Sequence, residues 1–225
     1  MVIQMKVLFI GNSYTAFHEM PQIFSDLCRD NGKDVTVEHV LKGGRKLWEN
    51  LDVEDDWSEK LRALCAVGGY DVAILQEQSV IPATDRQEFF DGAKRIADYI
   101  AKTSPTVRFV LYQTWGRKAG HAMLEKIGMT SEEMSEKLIA GYAECAKLIG
   151  ADISPVGELF FKAYHSKKVC VNIYYPDKTH PSYAGSCIAA LSHYRTVFGS
   201  LPENMNAIGL PKQDLADILE VAFEN

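Results

Sequence analysis

A chain of 225 residues with 47% hydrophobic and 24% charged residues has enough apolar surface for a substantial core and is not the composition of a disordered protein. Its formal net charge of −6 excludes nucleic acid and anionic membrane as main partners, because both require a basic face. No apolar run approaches the roughly 20 residues of a membrane span, and the beginning reads as a strand, so one domain over residues 1–225 and a cytoplasmic location are expected.

The first strand is Lys6–Ile10, which runs into the small polar turn Gly11-Asn12-Ser13-Tyr14-Thr15. Pro21 to Asn31 then carries Ile23, Phe24 and Leu27 at helical spacing, and Gly32 ends that helix. Asp34 to Leu41 is a second strand leading into the turn Lys42-Gly43-Gly44-Arg45, and Trp57 to Val67 is a helix broken by Gly68-Gly69. The apolar run Asp71–Leu75 suits the middle of a parallel sheet and ends at Gln76-Glu77-Gln78-Ser79. A long amphipathic helix over Gln87–Thr103 precedes a fourth strand, Val107–Tyr112, which opens into Gln113-Thr114-Trp115-Gly116. Gly116 to Thr130 is long for a connection and is a candidate lid. A helix starts at Ser131, with Glu132 and Glu133 in its first turn, and stops before Gly150. A fifth strand over Ala151–Val156 follows, then a helix over Ser182–Phe198 with Pro181 at its start and Gly199 past its end, and a last helix over Gln213–Phe223.

Strands alternating with helices predict a parallel five-stranded sheet covered on both faces, a three-layer α/β/α sandwich. In such a sheet the loops leaving the strands gather on one edge. Ser13, Gly44, Gln76, Gln78, Gln113 and the Asp177/His180 loop are thereby expected in one crevice, with Trp115, Tyr14, Tyr174 and Tyr175 in or beside it. An aspartate three residues before a histidine can reach back to Nδ1 and leave Nε2 free to take a proton from a serine. Each feature also has a plainer explanation. Ser13 can simply cap a helix, Asp177-Lys178-Thr179-His180 can be a surface turn, and Gly43-Gly44 can be a turn and nothing more. The other histidines have no metal-ligand spacing, so no metal is expected, and the odd set Cys28, Cys65, Cys145, Cys170 and Cys187 lacks a CxxC pair and reads as free thiols.

Gly11-Asn12-Ser13 after the first strand, a glycine turn after the second, amide side chains after the third and Asp177-x-x-His180 near the end together resemble the SGNH (GDSL-type) hydrolases. The resemblance covers most of the chain. It implies a flavodoxin-like sheet and a cofactor-free esterase with Ser13 as nucleophile, His180 as general base and then acid, and Asp177 orienting His180. It further implies an oxyanion met by the N–H groups of Ser13 and Gly44 and by a side-chain amide, although Gly43 and Gly44 are adjacent and a shift of one residue changes which N–H faces the site. The sequence departs from the family in two places: Asn12 stands where an aspartate is usual, and Gln76-Glu77-Gln78-Ser79 stands in place of the motif that supplies an asparagine. Glutamine carries the same amide on a longer stem, so Gln78 or Gln76 can replace the asparagine as the third donor, with Gln78 preferred. The expected partner is a small-molecule or carbohydrate ester with a small acyl group, acetyl first. Two non-catalytic alternatives follow from the same residues: a flavodoxin-like protein whose Gly11–Thr15 loop cradles a flavin phosphate, and an SGNH-like protein that only binds a glycan or acyl group.

Overall fold

The computed structural model describes residues 4–224. Five strands, β1 (Met5–Gly11), β2 (Val35–Leu41), β3 (Val72–Leu75), β4 (Arg108–Tyr112) and β5 (Asp152–Ser154), pair all-parallel in the order β2-β1-β3-β4-β5. The helices, in chain order, are α1 (Ser13–Ala16), α2 (Met20–Asp30), α3 (Glu49–Asp52), α4 (Asp56–Val67), α5 (Ile81–Thr84), α6 (Arg86–Ala101), α7 (Ala122–Ile127), α8 (Ser131–Ile149), α9 (Val156–His165), α10 (Tyr183–Phe198) and α11 (Lys212–Ile218).

Side chains alternate across the strands, and each set feeds a separate core. Val7 and Phe9 of β1, Ile74 of β3 and Val110 of β4 pack with α2, α9 and α10 on one face. Leu8, Ile10, Leu75 and Leu111 pack with α4, α6 and α8 on the other. This is the expected three-layer α/β/α sandwich. The strand order is the flavodoxin-like one, with its switch point between β1 and β3, and the register brings the strand exits level: Gly11 pairs with Leu41, Ile10 with Leu75 and Tyr112 with Ser154.

Most predicted elements recur within a residue or two, including the helix at Ser131, whose capping box is closed by Thr130 and Glu133. The end of the fifth strand is a correction. Pro155 has no N–H to continue the ladder and its φ of −82° suits a helix start, so β5 stops at Ser154 and α9 begins at Val156. Gln113 is a second correction. Its Oε1 accepts the Glu158 N–H at 3.0 Å and its Nε2 donates to Glu158 Oε1 at 3.2 Å, which ties β4 to the first turn of α9 and turns the side chain away from any ligand. In the segment offered as a candidate lid, Gly116 and Arg117 are buried, the Lys118 N–H donates to the Lys178 carbonyl at 3.0 Å, and α7 follows with Leu124 in the core. Among the described residues no helix is long and apolar enough to cross a membrane.

The junction between β4 and α9 has no slack. A Cβ on Gly157 would stand 2.2 Å from the Thr114 carbonyl oxygen. Alanine normally gains up to about 1 kcal/mol over glycine in a helix, but the forced separation of α9 from the sheet costs more, about 1–3 kcal/mol. Gly157→Ala is therefore expected to lower the denaturation midpoint in guanidinium, and a midpoint equal to or above wild type would show that α9 is free to move off β4.

Candidate active site

β1 leaves the sheet at the switch point, and the next residues fold at once into the short helix α1. Asn12 caps it, its Oδ1 accepting the Tyr14 N–H at 3.2 Å while its Nδ2 donates to the Arg45 carbonyl at 3.0 Å. An aspartate could accept the first bond but not donate the second, which accounts for asparagine here in physical terms. The turn also leaves no phosphate cradle. The Asn12 N–H is taken by Gln76 Oε1 at 2.9 Å and the Thr15 and Ala16 N–H groups by the Asn12 carbonyl, so a flavin phosphate would find few donors.

Ser13 opens α1 and its Oγ lies 2.8 Å from His180 Nε2. The far side of that imidazole is fixed by Asp177, whose Oδ2 stands 2.6 Å from Nδ1. The same carboxylate accepts the backbone N–H groups of Thr179 and His180 through Oδ1, both at 3.0 Å, and Lys178 between them takes a left-handed φ of 64° that curls the chain back on Asp177. Partial burial raises the Asp177 pKa, but the hydrogen bonds from His180 and from the Thr179 and His180 amides outweigh it and hold the carboxyl below its ordinary value. Asp177 is thus ionised at neutral pH and favours the tautomer with hydrogen on Nδ1, leaving the Nε2 lone pair toward Ser13.

The ring of His180 is further held by its neighbours. Phe17 stacks on it at 4.2 Å and 5°, and Tyr14 meets it edge-on at 5.5 Å. Reaching that position costs backbone strain, because His18 and Glu19, which follow Phe17, are both left-handed at φ 53° and 52°. Behind His180, the Thr179 carbonyl accepts from Trp115 Nε1 at 3.0 Å, and the Thr179 hydroxyl bonds Tyr14 Oη at 2.7 Å and accepts from Arg117 Nη1.

Ser13 and His180 open on a pocket of about 220 Å³ shared with Gly44, Gln78, Ser79 and Arg117. Gly44 is the third residue of a β-turn closed by the Arg45 N–H on the Lys42 carbonyl at 3.1 Å, and its φ of 71° is what a type II turn demands there. Gly44, and not Gly43, is among the residues that line the pocket with Ser13. Neither the Ser13 nor the Gly44 N–H has an acceptor among the described residues. The turn is fixed by Lys42 and Arg45, which both bond Asp55 and hold its carboxyl well below the usual carboxylate range.

The two glutamines after β3 have different fates. Gln76 is only 1% exposed, and its amide is fully engaged: Oε1 accepts from the Asn12 N–H and from Thr15 Oγ1, each at 2.9 Å, and Nε2 donates to the Glu77 carbonyl at 2.5 Å. Gln76 therefore joins β3 to β1 and does not reach the pocket, a correction to its expected place among the ligand donors. Gln78 lines the pocket. Its Oε1 accepts the Val80 N–H at 2.9 Å, which leaves Nε2 for a ligand. Trp115 and Tyr174 lie in the core, where Trp115 stacks between Tyr14 at 4.5 Å and Phe160 at 3.9 Å, and Tyr175 is an exposed rim residue.

Three contributors were invisible in the sequence: Arg117, Thr179 and Glu77. Glu77 has no exposed surface, and its Oε1 accepts the N–H groups of Gln78 at 2.6 Å and Leu47 at 3.1 Å, bracing the loops after β2 and β3 against each other. A charged residue between two glutamines at a strand exit was the available signal. No cluster of histidine, cysteine, aspartate and glutamate suited to a metal ion occurs among the described residues.

The fold and pocket define a class: an open parallel α/β protein with serine, histidine and aspartate in hydrogen-bonded series at the carboxyl edge of its sheet. No family model matches the chain, and no curated protein does. Among solved structures, the chain is similar to a protein of Slackia heliotrinireducens assigned as an SGNH hydrolase, with 30% identity, a TM-score of 0.75 and coverage of 87% of this chain and 100% of that one. The fold also matches a protein from Bacteroides uniformis, of a family named only as a domain of unknown function, at 17% identity and TM-score 0.75 over 98% of this chain and 94% of that one. It matches an acetylxylan esterase of Geobacillus stearothermophilus at 14% identity and TM-score 0.61 over 94% and 98%. The chain belongs to the SGNH hydrolases.

Burial raises the Glu77 carboxyl from 4.5 to about 8 against the pull of its two backbone donors. A raised acid pKa means that the folded state binds more protons than the unfolded one across that window, so this residue's contribution to stability falls as pH rises from the lower value to the upper. Glu77→Gln keeps an acceptor for the Leu47 and Gln78 amides and cannot ionise. The variant is expected to gain at least about 1 kcal/mol on wild type between about pH 5 and pH 8, measured by urea denaturation at each pH. Parallel pH profiles of the two proteins would show that Glu77 does not titrate there.

Proposed function

We propose that this protein is a serine esterase that hydrolyses a small acyl ester, acetyl first among them, through an acyl-Ser13 intermediate. The observation that carries the reading is the unbroken series Ser13 Oγ, His180 Nε2, His180 Nδ1, Asp177 Oδ2, at 2.8 Å and 2.6 Å. With Nδ1–H held by Asp177, Nε2 accepts the Ser13 proton as Oγ attacks the ester carbonyl carbon. The tetrahedral oxyanion that results is met by the Ser13 and Gly44 N–H groups and by Gln78 Nε2. His180 then returns its proton to the departing alcohol oxygen and leaves an acyl group on Ser13. A water molecule, deprotonated in turn by Nε2, attacks that acyl carbon and releases the carboxylic acid and free Ser13. Asp177 and the face of Phe17 keep the imidazolium in place between the two steps.

Several facts support a small acyl group and a polar alcohol. The pocket holds about 220 Å³, and hydroxyl, amide and guanidinium side chains are among the groups that line it. The fold is shared with an acetylxylan esterase. The reading of the protein as a binding module without catalysis has no comparable support, because binding alone gives no reason to hold a hydroxyl, an imidazole and an ionised carboxylate in series.

Hydrolysis of 4-nitrophenyl acetate by wild type, Ser13→Ala and Gln78→Ala tests the proposal. Ser13→Ala is expected to lose at least about 10³-fold in kcat, and Gln78→Ala about 10²-fold or more through the lost oxyanion donor. Equal rates in wild type and Ser13→Ala, with both folded by circular dichroism, would end the esterase reading. A loss of less than a few-fold in Gln78→Ala would remove Gln78 alone from it.

A further inference from the structure

Two arginines are buried near this pocket, and their surroundings differ in kind. Arg45 is 4% exposed and its charge is balanced: Nη1 and Nη2 hold the two oxygens of Asp55 at 2.6 and 3.2 Å, Nη2 also reaches the Glu49 carbonyl, and only its Nε–H has no partner. Arg117 is 7% exposed and forms no ion pair among the described residues. Its partners are two neutral hydroxyls, Thr179 Oγ1 on Nη1 and Ser79 Oγ on Nη2 at 3.2 Å, and its Nε–H has none. A guanidinium removed from water without a counter-charge is costly, since hydroxyl acceptors supply hydrogen bonds but no opposite charge. The cost is offset when an anion occupies the same space, and a guanidinium suits the planar oxygen pair of a carboxylate in particular.

The space is the pocket itself. Arg117, Ser79 and Thr179 line it together with Ser13, Gly44, Gln78 and His180. The nearest carboxylate of the site, Asp177, is spent on the other nitrogen of the His180 ring. Arg117 is the one permanent cation among the lining residues, and a single guanidinium balances a single negative charge, which favours a carboxylate over a phosphate dianion.

Resting on the esterase reading above, we infer that the substrate is an ester bearing a carboxylate within reach of its scissile bond, and that Arg117 is the residue that selects it. The carboxylate belongs either to the acyl half, as in the monoester of a dicarboxylic acid, or to the alcohol half, as in an O-acetylated hydroxy acid. The chemistry that Arg117 recognises is the same in both.

Two ester pairs distinguish these sources: mono-4-nitrophenyl succinate against 4-nitrophenyl butyrate for the acyl half, and 4-acetoxybenzoate against its methyl ester for the alcohol half. Wild type is expected to prefer the charged member of one pair by about 10-fold or more in kcat/KM, the scale of a charge-assisted hydrogen bond. In Arg117→Gln that ratio is expected to fall towards one. Because the ratio is taken within each protein, any loss shared by both esters through a looser Thr179 loop cancels. Hydrolysis of neutral esters by wild type with no preference in either pair would overturn the inference and leave the esterase reading standing, as would an undiminished ratio in Arg117→Gln. If wild type cleaves no ester at all, the esterase reading fails, and calorimetric titration of wild type with benzoate and with benzamide decides the inference on its own. Benzoate alone should bind, and equal or absent binding of the two would overturn it. Both wild-type measurements stand even if Arg117→Gln does not fold.

Discussion

The hydrogen bond between Ser13 and His180 joins residues 167 positions apart, and much of the structure around it serves to hold those two ends together. Ser13 is placed by the exit of β1, a central strand with partners on both sides, so its position is set by the most constrained part of the sheet. His180 has no such anchor, because it lies in a loop. Its loop is closed by the Tyr175 N–H on the His180 carbonyl at 2.8 Å and by the Ser182 N–H on the Ile173 carbonyl at 2.9 Å. It is then strapped to the segment after β4 through Trp115, Arg117 and Lys118. A mobile loop would have to lose conformational entropy each time the imidazole engaged Ser13. Here that cost is met on folding, which is the physical content of preorganisation.

The polar groups around the pocket fall into two sets. Gln76, Asn12, Asp55 and Glu77 have their hydrogen bonds within the protein: Gln76, Asn12 and Glu77 each join one strand exit to another, and Asp55 ties the turn after β2 to the start of α4. The Ser13 N–H, the Gly44 N–H, Gln78 Nε2 and the Arg117 Nε–H have no protein acceptor among the described residues, and all four residues line the pocket. A buried donor without an acceptor is a liability in a structural position and a resource in a binding one. These donors converge on one small cavity, whereas the satisfied groups surround it as a frame.

Much of this arrangement was legible in the sequence because it rests on local rules. A buried strand followed by Gly-Asn-Ser, a glycine turn after a second strand and an aspartate three residues before a histidine are patterns that short-range geometry fixes, and the strand alternation placed them on one edge. What stayed hidden depended on distance in sequence. Whether Gln76 or Gln78 faced the pocket turned on Thr15 and the Asn12 amide, which claim Gln76 from across the switch point. Gln113 follows a strand just as Gln76 does, yet it serves the first turn of α9, a helix hidden in the sequence because the fifth strand reads on through Pro155 to Val156. Arg117 sat in a segment whose glycines marked it as a loop, and nothing local distinguishes an arginine in solvent from one buried behind a histidine.

The charge of the pocket follows from the same residues. A chain with a net charge of −6 would ordinarily present a negative potential to a small ligand. At this edge the balance is reversed by particular choices. Asn12 is neutral where an aspartate beside the serine would add a charge. Burial raises the pKa of Glu77, the carboxyl next to Gln78, which disfavours its charged form. Asp177 is ionised, but it lies on the far side of the His180 ring and its charge is shared among a ring N–H and two backbone amides. Arg117 is buried with no ion pair among the described residues, and a charge shielded from water in this way is less screened than one in bulk solvent. On the proposed reading of the site, the same field that would attract a substrate carboxylate would also favour the oxyanion of acyl transfer. An aspartate at position 12 would oppose both effects and would meet the Arg45 carbonyl without a proton to give it. The departure from the family pattern beside the nucleophile and the unpaired arginine across the pocket are thus two parts of one electrostatic arrangement.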